Sequence, residues 1–256
     1  MKRVYKKDYS DWSEYYYQYQ YTLAKEHYIP YLIINDVNIS NISILDVGCG
    51  NGGFVSAFPS TSKKTGLEIK KFPWKNVKNS RFQVHNVLTQ DNSKFFKKFD
   101  LVIIRDVIEH IDLKHKEVFM DTIKNFLKED GKILVTFPPY FSPFGMHQQA
   151  LMKSFLKKIP FLSLLPLTFI RIMCSLFEDN DTYKDLEEIA RSRMTIKKFN
   201  SILKNLNLKI CNEEHFLVRP SHEIRYGFKM KRACLSNVPL LKELFVLGTS
   251  YIIQKK

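Results

Sequence analysis

Residues 44–54 read ILDVGCGNGGF: an apolar run, an acid, and then four glycines within six residues. The aliphatic residues up to Asp46 suit a short buried strand. The glycines that follow suit a loop whose main chain must come close to a small molecule. Gly48, Gly50 and Gly53 match G-x-G-x-x-G, and Glu68 lies twenty residues after Gly48, where an acid that binds ribose hydroxyls belongs. Asp46 separates two readings of that loop. A pyrophosphate at the following helix N-terminus would be repelled by its carboxylate, whereas a ligand carrying an ammonium and a sulfonium would be attracted.

Outward from this stretch, short β-branched runs recur at 42–47, 64–69, 81–87, 100–106 and 131–137. Helix-compatible stretches separate them. The clearest is 114–130, where Val118, Phe119, Ile123, Phe126 and Leu127 fall at helical spacing and Gly131 is expected to end the element. Strand and helix in alternation predict an α/β fold with a doubly wound, mostly parallel sheet flanked by helices. In such a sheet the ligand lies outside the carboxyl ends of the strands. That places the site at Asp46 to Gly53, Glu68, Asn86, Arg105, Asp106 and the chain from Pro138 onward.

ILDVGCGNGGF resembles the glycine-rich motif of the class I S-adenosylmethionine-dependent methyltransferases. The resemblance continues in order through GLEIK, FQVHNV, FDLVIIRDVIEHI and LKEDGKILVTFPP, over roughly residues 40–140. It implies a single methyltransferase domain with a seven-stranded sheet. Residues 1–40 would form an N-terminal helical cap, 41–140 the cofactor-binding core, 141–195 a helical lid after the fifth strand, and 196–256 the last helix and C-terminal strands. It also implies that Asp46 and the main chain of Gly48, Cys49, Gly50 and Gly52 hold the methionine end of the cofactor. Glu68 would take the ribose hydroxyls, Asn86 and Val87 would flank the adenine, and Arg105, with Asp106 next to it, would lie near the methionine moiety or the transferring methyl. The family usually has Asp where Asn86 stands; an amide can still meet an exocyclic amine.

Blander roles compete for several of these positions. Gly52 and Gly53 could serve close helix–strand packing, and Asp106 and Glu109 could cap a helix beginning there. His110 is either packed at the cleft floor or catalytic. FPPY at 137–140 lacks the side-chain oxygen that amino-directed enzymes place before two prolines, so Pro138 and Pro139 read as a rigid turn. The loop YFSPFGMHQQ (140–149) follows, with Tyr140 as an acceptor contact and His147 as the leading general base, its ordinary pKa lying near neutrality.

From 151 to about 195 the alternation stops. The apolar run through 155–177 is broken by Pro160, Pro166 and Arg171, which makes it a poor spanning helix. It reads as a substrate lid, an oligomer contact, or an interfacial segment whose Lys153, Lys157, Lys158 and Arg171 meet phospholipid headgroups. Beyond it, 194–210 predicts a helix capped by Thr195 and leading into a strand, and 243–256 the last strand. Between them Arg219 and Arg225 are candidates to hold an anionic acceptor. The aromatic-rich segment 11–27 offers Tyr15 and Tyr19 to close over the site.

The 256 residues carry a net charge of +14 and 45% hydrophobic content, enough for one sizeable core. The lysines are scattered, which argues against a nucleic-acid partner despite the charge. Four separated cysteines without a C-x-x-C pair predict neither disulfides nor a metal. The start has no apolar stretch behind its basic residues, so the chain is expected in the cytoplasm, with peripheral contact at the inner membrane surface as the alternative. The sequence thus points to S-adenosylmethionine-dependent methyl transfer to a small-molecule acceptor, at oxygen. A lipid or isoprenoid-like acceptor at a membrane surface is the rival, and a non-catalytic cofactor-binding protein the alternative of another class.

Overall fold

A computed structural model describes residues 1–234 and 238–256. The chain begins with α1 (Trp12–Leu23), which Asp11 caps by accepting from the Glu14 N–H at 2.8 Å, and passes through a π-helical turn into α2 (Ile29–Ile34). The core follows as β1 (Ser43–Val47), α3 (Gly53–Ser56), β2 (Lys63–Glu68), β3 (Ser80–Val84), β4 (Phe99–Arg105), α4 (Lys116–Phe126) and β5 (Leu127–Phe137). An all-helical stretch contains α5 (Gln148–Leu151), α6 (Leu167–Phe177) and α7 (Asn180–Ser192). The chain closes with α8 (Ile196–Asn205), β6 (Leu208–Val218), α9 (Pro220–Tyr226), β7 (Lys231–Arg232), α10 (Pro239–Phe245) and β8 (Gly248–Lys255).

The strands form one sheet in the order β3-β2-β1-β4-β5-β8-β6-β7. The first five are parallel, and β8 runs antiparallel between β5 and β6. This is the expected doubly wound α/β sheet, with eight strands among the described residues rather than seven because the two-residue β7 adds an edge. Two apolar cores flank it. One packs α4 and α8 on one face, through residues such as Phe119, Phe126, Phe199 and Ile202; the other packs α1 to α3 on the opposite face, through Tyr19, Leu23, Leu32 and Phe54.

Residues from Tyr140 to Ala190 build a third core of their own, with Met146, Leu156, Ile170, Cys174 and Leu186 inside. Its outer side is apolar too: Phe169, Ile172 and Leu176, spaced one face apart along α6, and Leu165 just before that helix are 36 to 69% exposed. No helix among the described residues is long and apolar enough to cross a membrane.

Two local expectations need correction. Gly131 does not end α4, which stops at Phe126; the glycine lies inside β5, where a Cβ would come within 2.9 Å of the Phe99 carbonyl oxygen. Val118 is 61% exposed, and Met120 takes the inward position instead. Thr195 does cap α8, its hydroxyl accepting from the Lys198 N–H at 3.0 Å.

Candidate functional site

The ends of β1, β2 and β4 open onto a cavity of about 580 Å³. Asp46 lies at its base, 2% exposed, and its Oδ2 has no hydrogen-bond partner among the described residues. Burial pushes this carboxyl up to about 7, with Arg105 opposing the shift and Glu68 adding to it. An orphaned buried carboxylate is costly unless a donor or cation arrives to meet it. The chemistry of this position therefore fits an ammonium group.

The glycine loop is stitched to β2. The N–H groups of Gly48 and Cys49 donate to the Leu67 carbonyl at 2.8 and 3.1 Å, and the Gly50 N–H donates to Glu68 Oε2 at 2.8 Å. Gly48 has a φ of +74°, and a Cβ there would stand 2.3 Å from Val107 Cγ2. The main chain can come this close only with glycine. Glu68 also accepts from the Ile69 N–H at 2.8 Å, so its carboxylate is held at the cavity wall with lone pairs to spare for hydroxyl donors. Asn86 and Val87 line the same cavity, but the Asn86 Oδ1 already accepts from the Leu88 N–H at 2.9 Å. The side chain thus offers its NH₂ as donor, which suits a ring nitrogen better than the exocyclic amine expected from the sequence.

Beyond β4, Asp106 has a φ of +53° and anchors an ion network. Its carboxylate accepts from Arg219 at 2.6 and 2.8 Å, from Arg105 at 3.1 Å and from the Thr136 hydroxyl at 3.0 Å. Burial alone would raise its pKa, but the two guanidinium groups override that and hold it at about 2. Arg219, expected to meet an anionic acceptor, is instead committed to Asp106. Arg225 has no carboxylate partner among the described residues and lies 5.3 Å over the Tyr19 ring, bordering both the main cavity and a neighbouring one of about 220 Å³.

Glu109 does not cap a helix: Ile108–His110 is a single 3-10 turn, and α4 begins only at Lys116. The Glu109 side chain is 3% exposed and neither oxygen has a partner among the described residues. Its own turn is pinned from α7, where the Ser192 hydroxyl donates to the Glu109 carbonyl. His110 lines the main cavity, His147 lines the smaller one, and the two rings lie 5.0 Å apart. His147 has a φ of +57° and an unpartnered Nε2 among the described residues. Burial lowers the pKa of both, that of His147 to about 4, so the two imidazoles are neutral at physiological pH.

Three expected contacts lie elsewhere. Gly52 faces away from the cavity, its Cα side turned to Phe82, where a Cβ would meet the ring at 2.5 Å. Tyr15 is buried against Tyr9 and Tyr19 rather than lining the cavity. Tyr140 packs into the third core, its N–H donating to the Met194 carbonyl at 2.7 Å. The cavity wall is completed by Trp12 and Tyr16, stacked at 4.7 Å, by Tyr19 and by Phe72. Trp74 donates to the Gly50 carbonyl at 2.8 Å. The i, i+4 spacing of Trp12 and Tyr16 was a readable signal; nothing around Trp74 was.

A family model described as a methyltransferase domain matches residues 17–212. The chain belongs to this family. Among curated proteins, an N-methyltransferase 4 of Papaver somniferum is 29% identical over 120 residues, 43% of this chain and 33% of that protein. A ubiquinone biosynthesis O-methyltransferase of Pelagibacter ubique is 27% identical over 109 residues, 39% of this chain and 40% of its own. The similarity thus spans well under half the length of either relative. Among solved structures, magnesium protoporphyrin IX methyltransferase from Synechocystis, with bound S-adenosylhomocysteine, superposes with a TM-score of 0.53 at 13% identity, covering 93% of this chain and 84% of that one. A plantazolicin methyltransferase, also with S-adenosylhomocysteine, gives 0.52 at 12% identity over 95% and 89%. At such identities these two show the shared fold.

Proposed function

We propose that this methyltransferase-family chain binds S-adenosylmethionine and methylates a small molecule at oxygen. The observation that carries the cofactor is the orphaned Asp46 carboxylate under a glycine loop pinned by Glu68. Its charge suits the ammonium of the methionine end, and the wall from Glu68 to Asn86 suits a ribose and a purine. The cofactor supplies an electrophilic methyl on a sulfonium, which an acceptor oxygen displaces in line.

The residues of this chain then have four tasks. Trp12, Tyr16 and Tyr19 on α1 cover the cofactor and exclude water. The Arg105–Asp106–Arg219 network fixes the floor on which the acceptor rests. His110 and His147 stand where the proton of an acceptor hydroxyl must go, and their neutral rings have lone pairs to receive it. Arg225, at the junction of the two cavities, takes an anionic group on the acceptor.

A second reading, a lipid acceptor at a membrane surface, is favoured by the exposed stripe Leu165, Phe169, Ile172 and Leu176. Transfer of labelled methyl from S-adenosylmethionine into a metabolite extract, followed by phase separation, distinguishes the two. Label in water-soluble products supports the first reading, label in the organic phase the second, and label in neither defeats both.

A further inference from the structure

The pocket floor contains a feature that methyl transfer alone leaves unexplained. Glu109 keeps both carboxylate oxygens buried without a donor among the described residues, and His147 keeps its Nε2 buried in the same state. One ligand atom from each of Glu109, His110 and His147 lies within 4.8 Å of the others. A carboxylate buried without hydrogen bonds is rare in folded proteins, and an ion that it binds is one of its recognised explanations.

We propose that Glu109, His110 and His147 bind one divalent transition-metal ion of the zinc type. The inference deepens the methyl-transfer reading and rests on it for its consequence, though not for the binding itself. The donor set decides the metal class. Two imidazoles and one carboxylate suit zinc and its neighbours, whereas magnesium and calcium favour oxygen donors throughout. Three protein ligands leave at least one coordination position open, as in catalytic rather than structural sites. His110 lines the main cavity, so a ligand entering that cavity can reach the ion.

The geometry needs only a modest closure. Ligand atoms on a tetrahedral zinc are roughly 3.4 Å apart, given bonds of about 2.0–2.2 Å. Side-chain rotation within the cluster, where His110 faces the open cavity, is the movement that must draw the set together from within 4.8 Å. The main-chain positions are already fixed: Ser192 holds the Glu109 carbonyl, and the His147 loop is tied by Gln148, whose Nε2 donates to the carbonyls of Pro143 and Ile159 at 3.0 and 3.1 Å. The charges around the site are mixed. Arg219 shares the Asp106 carboxylate with Arg105, which leaves that network one positive charge, and the Lys116 ammonium is turned to the Ile108 carbonyl.

The bound ion would coordinate the acceptor hydroxyl and lower its pKa, so that the oxygen attacks as an alkoxide or phenoxide. The hydroxyl proton leaves to solvent, the C–S electron pair stays on sulfur, and no redox step is involved. His110 and His147 would then be ligands, and the ion would take over the task of activating the hydroxyl from the base role given to them above; the neutral imidazole is the form a ligand requires.

The test is binding of Co²⁺ and Zn²⁺ to the full chain, in a background where the exposed Cys211 and Cys234 are changed to Ser. Equilibrium dialysis should give one Zn²⁺ per chain. Co²⁺ should give visible d–d bands of a four- or five-coordinate site that Zn²⁺ displaces. Glu109→Gln and His147→Gln should each weaken binding at least 100-fold while S-adenosylhomocysteine affinity changes less than threefold. That unchanged affinity shows that the variants fold and that the cofactor site is independent. Chelation followed by Zn²⁺ should abolish and restore transfer once an acceptor is known. Absence of stoichiometric binding, or binding indifferent to both substitutions, overturns the metal site even if methyl transfer is found. Conversely, a metal bound by these residues stands even if no transfer is found.

Discussion

The Asp46 carboxyl makes cofactor binding a proton-linked event whose size follows from its surroundings. With a pKa of about 7, roughly half of the cofactor-free protein is protonated at Asp46 at pH 7 and about 97% at pH 5.5. An ammonium about 4 Å away contributes about 4 kcal/mol at an effective dielectric of 20, or about three pKa units, so the bound state is ionised throughout this window. The sign follows: only the ionised form binds well, binding expels a proton, and affinity rises with pH until Asp46 is already ionised. Apparent affinity for S-adenosylhomocysteine should therefore weaken roughly 15-fold from pH 7 to pH 5.5, below the range where the ligand amine itself titrates. Calorimetry in two buffers of different ionisation heat should show about 0.9 protons released at pH 6 and about 0.5 at pH 7. Asp46→Asn should remove this dependence and weaken binding by about 2 kcal/mol, roughly 30-fold, at pH 7.5. A wild-type affinity that is flat between pH 5.5 and 7, or a slope that survives in Asp46→Asn, refutes the reasoning.

Other expectations follow from the site and from the exposed face of α6. Gly48→Ala combines a left-handed backbone, costing about 1–2 kcal/mol, with a clash on Val107; adding Val107→Ala should recover the clash but not the backbone part, as read by chemical denaturation. Arg219→Met leaves Asp106 with Arg105 as its remaining guanidinium and should destabilise the fold by about 3 kcal/mol in urea unfolding, with Asp106→Asn recovering part of the loss. Trp12 lines the cavity, so cofactor should change the intrinsic fluorescence, and Trp12→Phe should remove most of that signal. Ile172→Glu with Leu176→Glu should leave the unfolding midpoint within about 1 kcal/mol of wild type, because both side chains are more than half exposed. Co-sedimentation with anionic vesicles should fall in the same variant if the lipid-acceptor reading holds, and no difference counts against it.

Local pattern was enough to locate the parallel strands, because each is a short apolar run closed by a polar or glycine-rich turn. The residues at their ends could then be placed by topology, and Asp46, Glu68 and Arg105 do share one cavity. Choices between neighbours on one helix were not readable this way. Tyr15 and Tyr16 differ by a single step of about 100°, and only the packing of α1 on the sheet decides that Tyr16 faces the cavity while Tyr15 is buried. Gly131 misled because a glycine after a helical pattern usually ends it, whereas here close approach to Phe99 is what demands it. The clustering of Glu109 with His147 was beyond reach for another reason: 38 positions apart in sequence, they meet only when the loop after β5 folds back over the end of β4.

The position of β8 has a consequence for how the protein is made. It is the last strand in chain order, yet it fills the slot between β5 and β6, with the Thr249 hydroxyl donating to the Phe137 carbonyl 112 residues earlier. Until it emerges from the ribosome, a nascent chain exposes two raw strand edges at the centre of its sheet, one of them the apolar run Ile133–Phe137. Such edges are templates for joining other chains. Premature termination before Gly248 would therefore leave an aggregation seed rather than a smaller working enzyme, and the chaperone-dependent interval of its biogenesis should last until Gly248–Lys255 has been made.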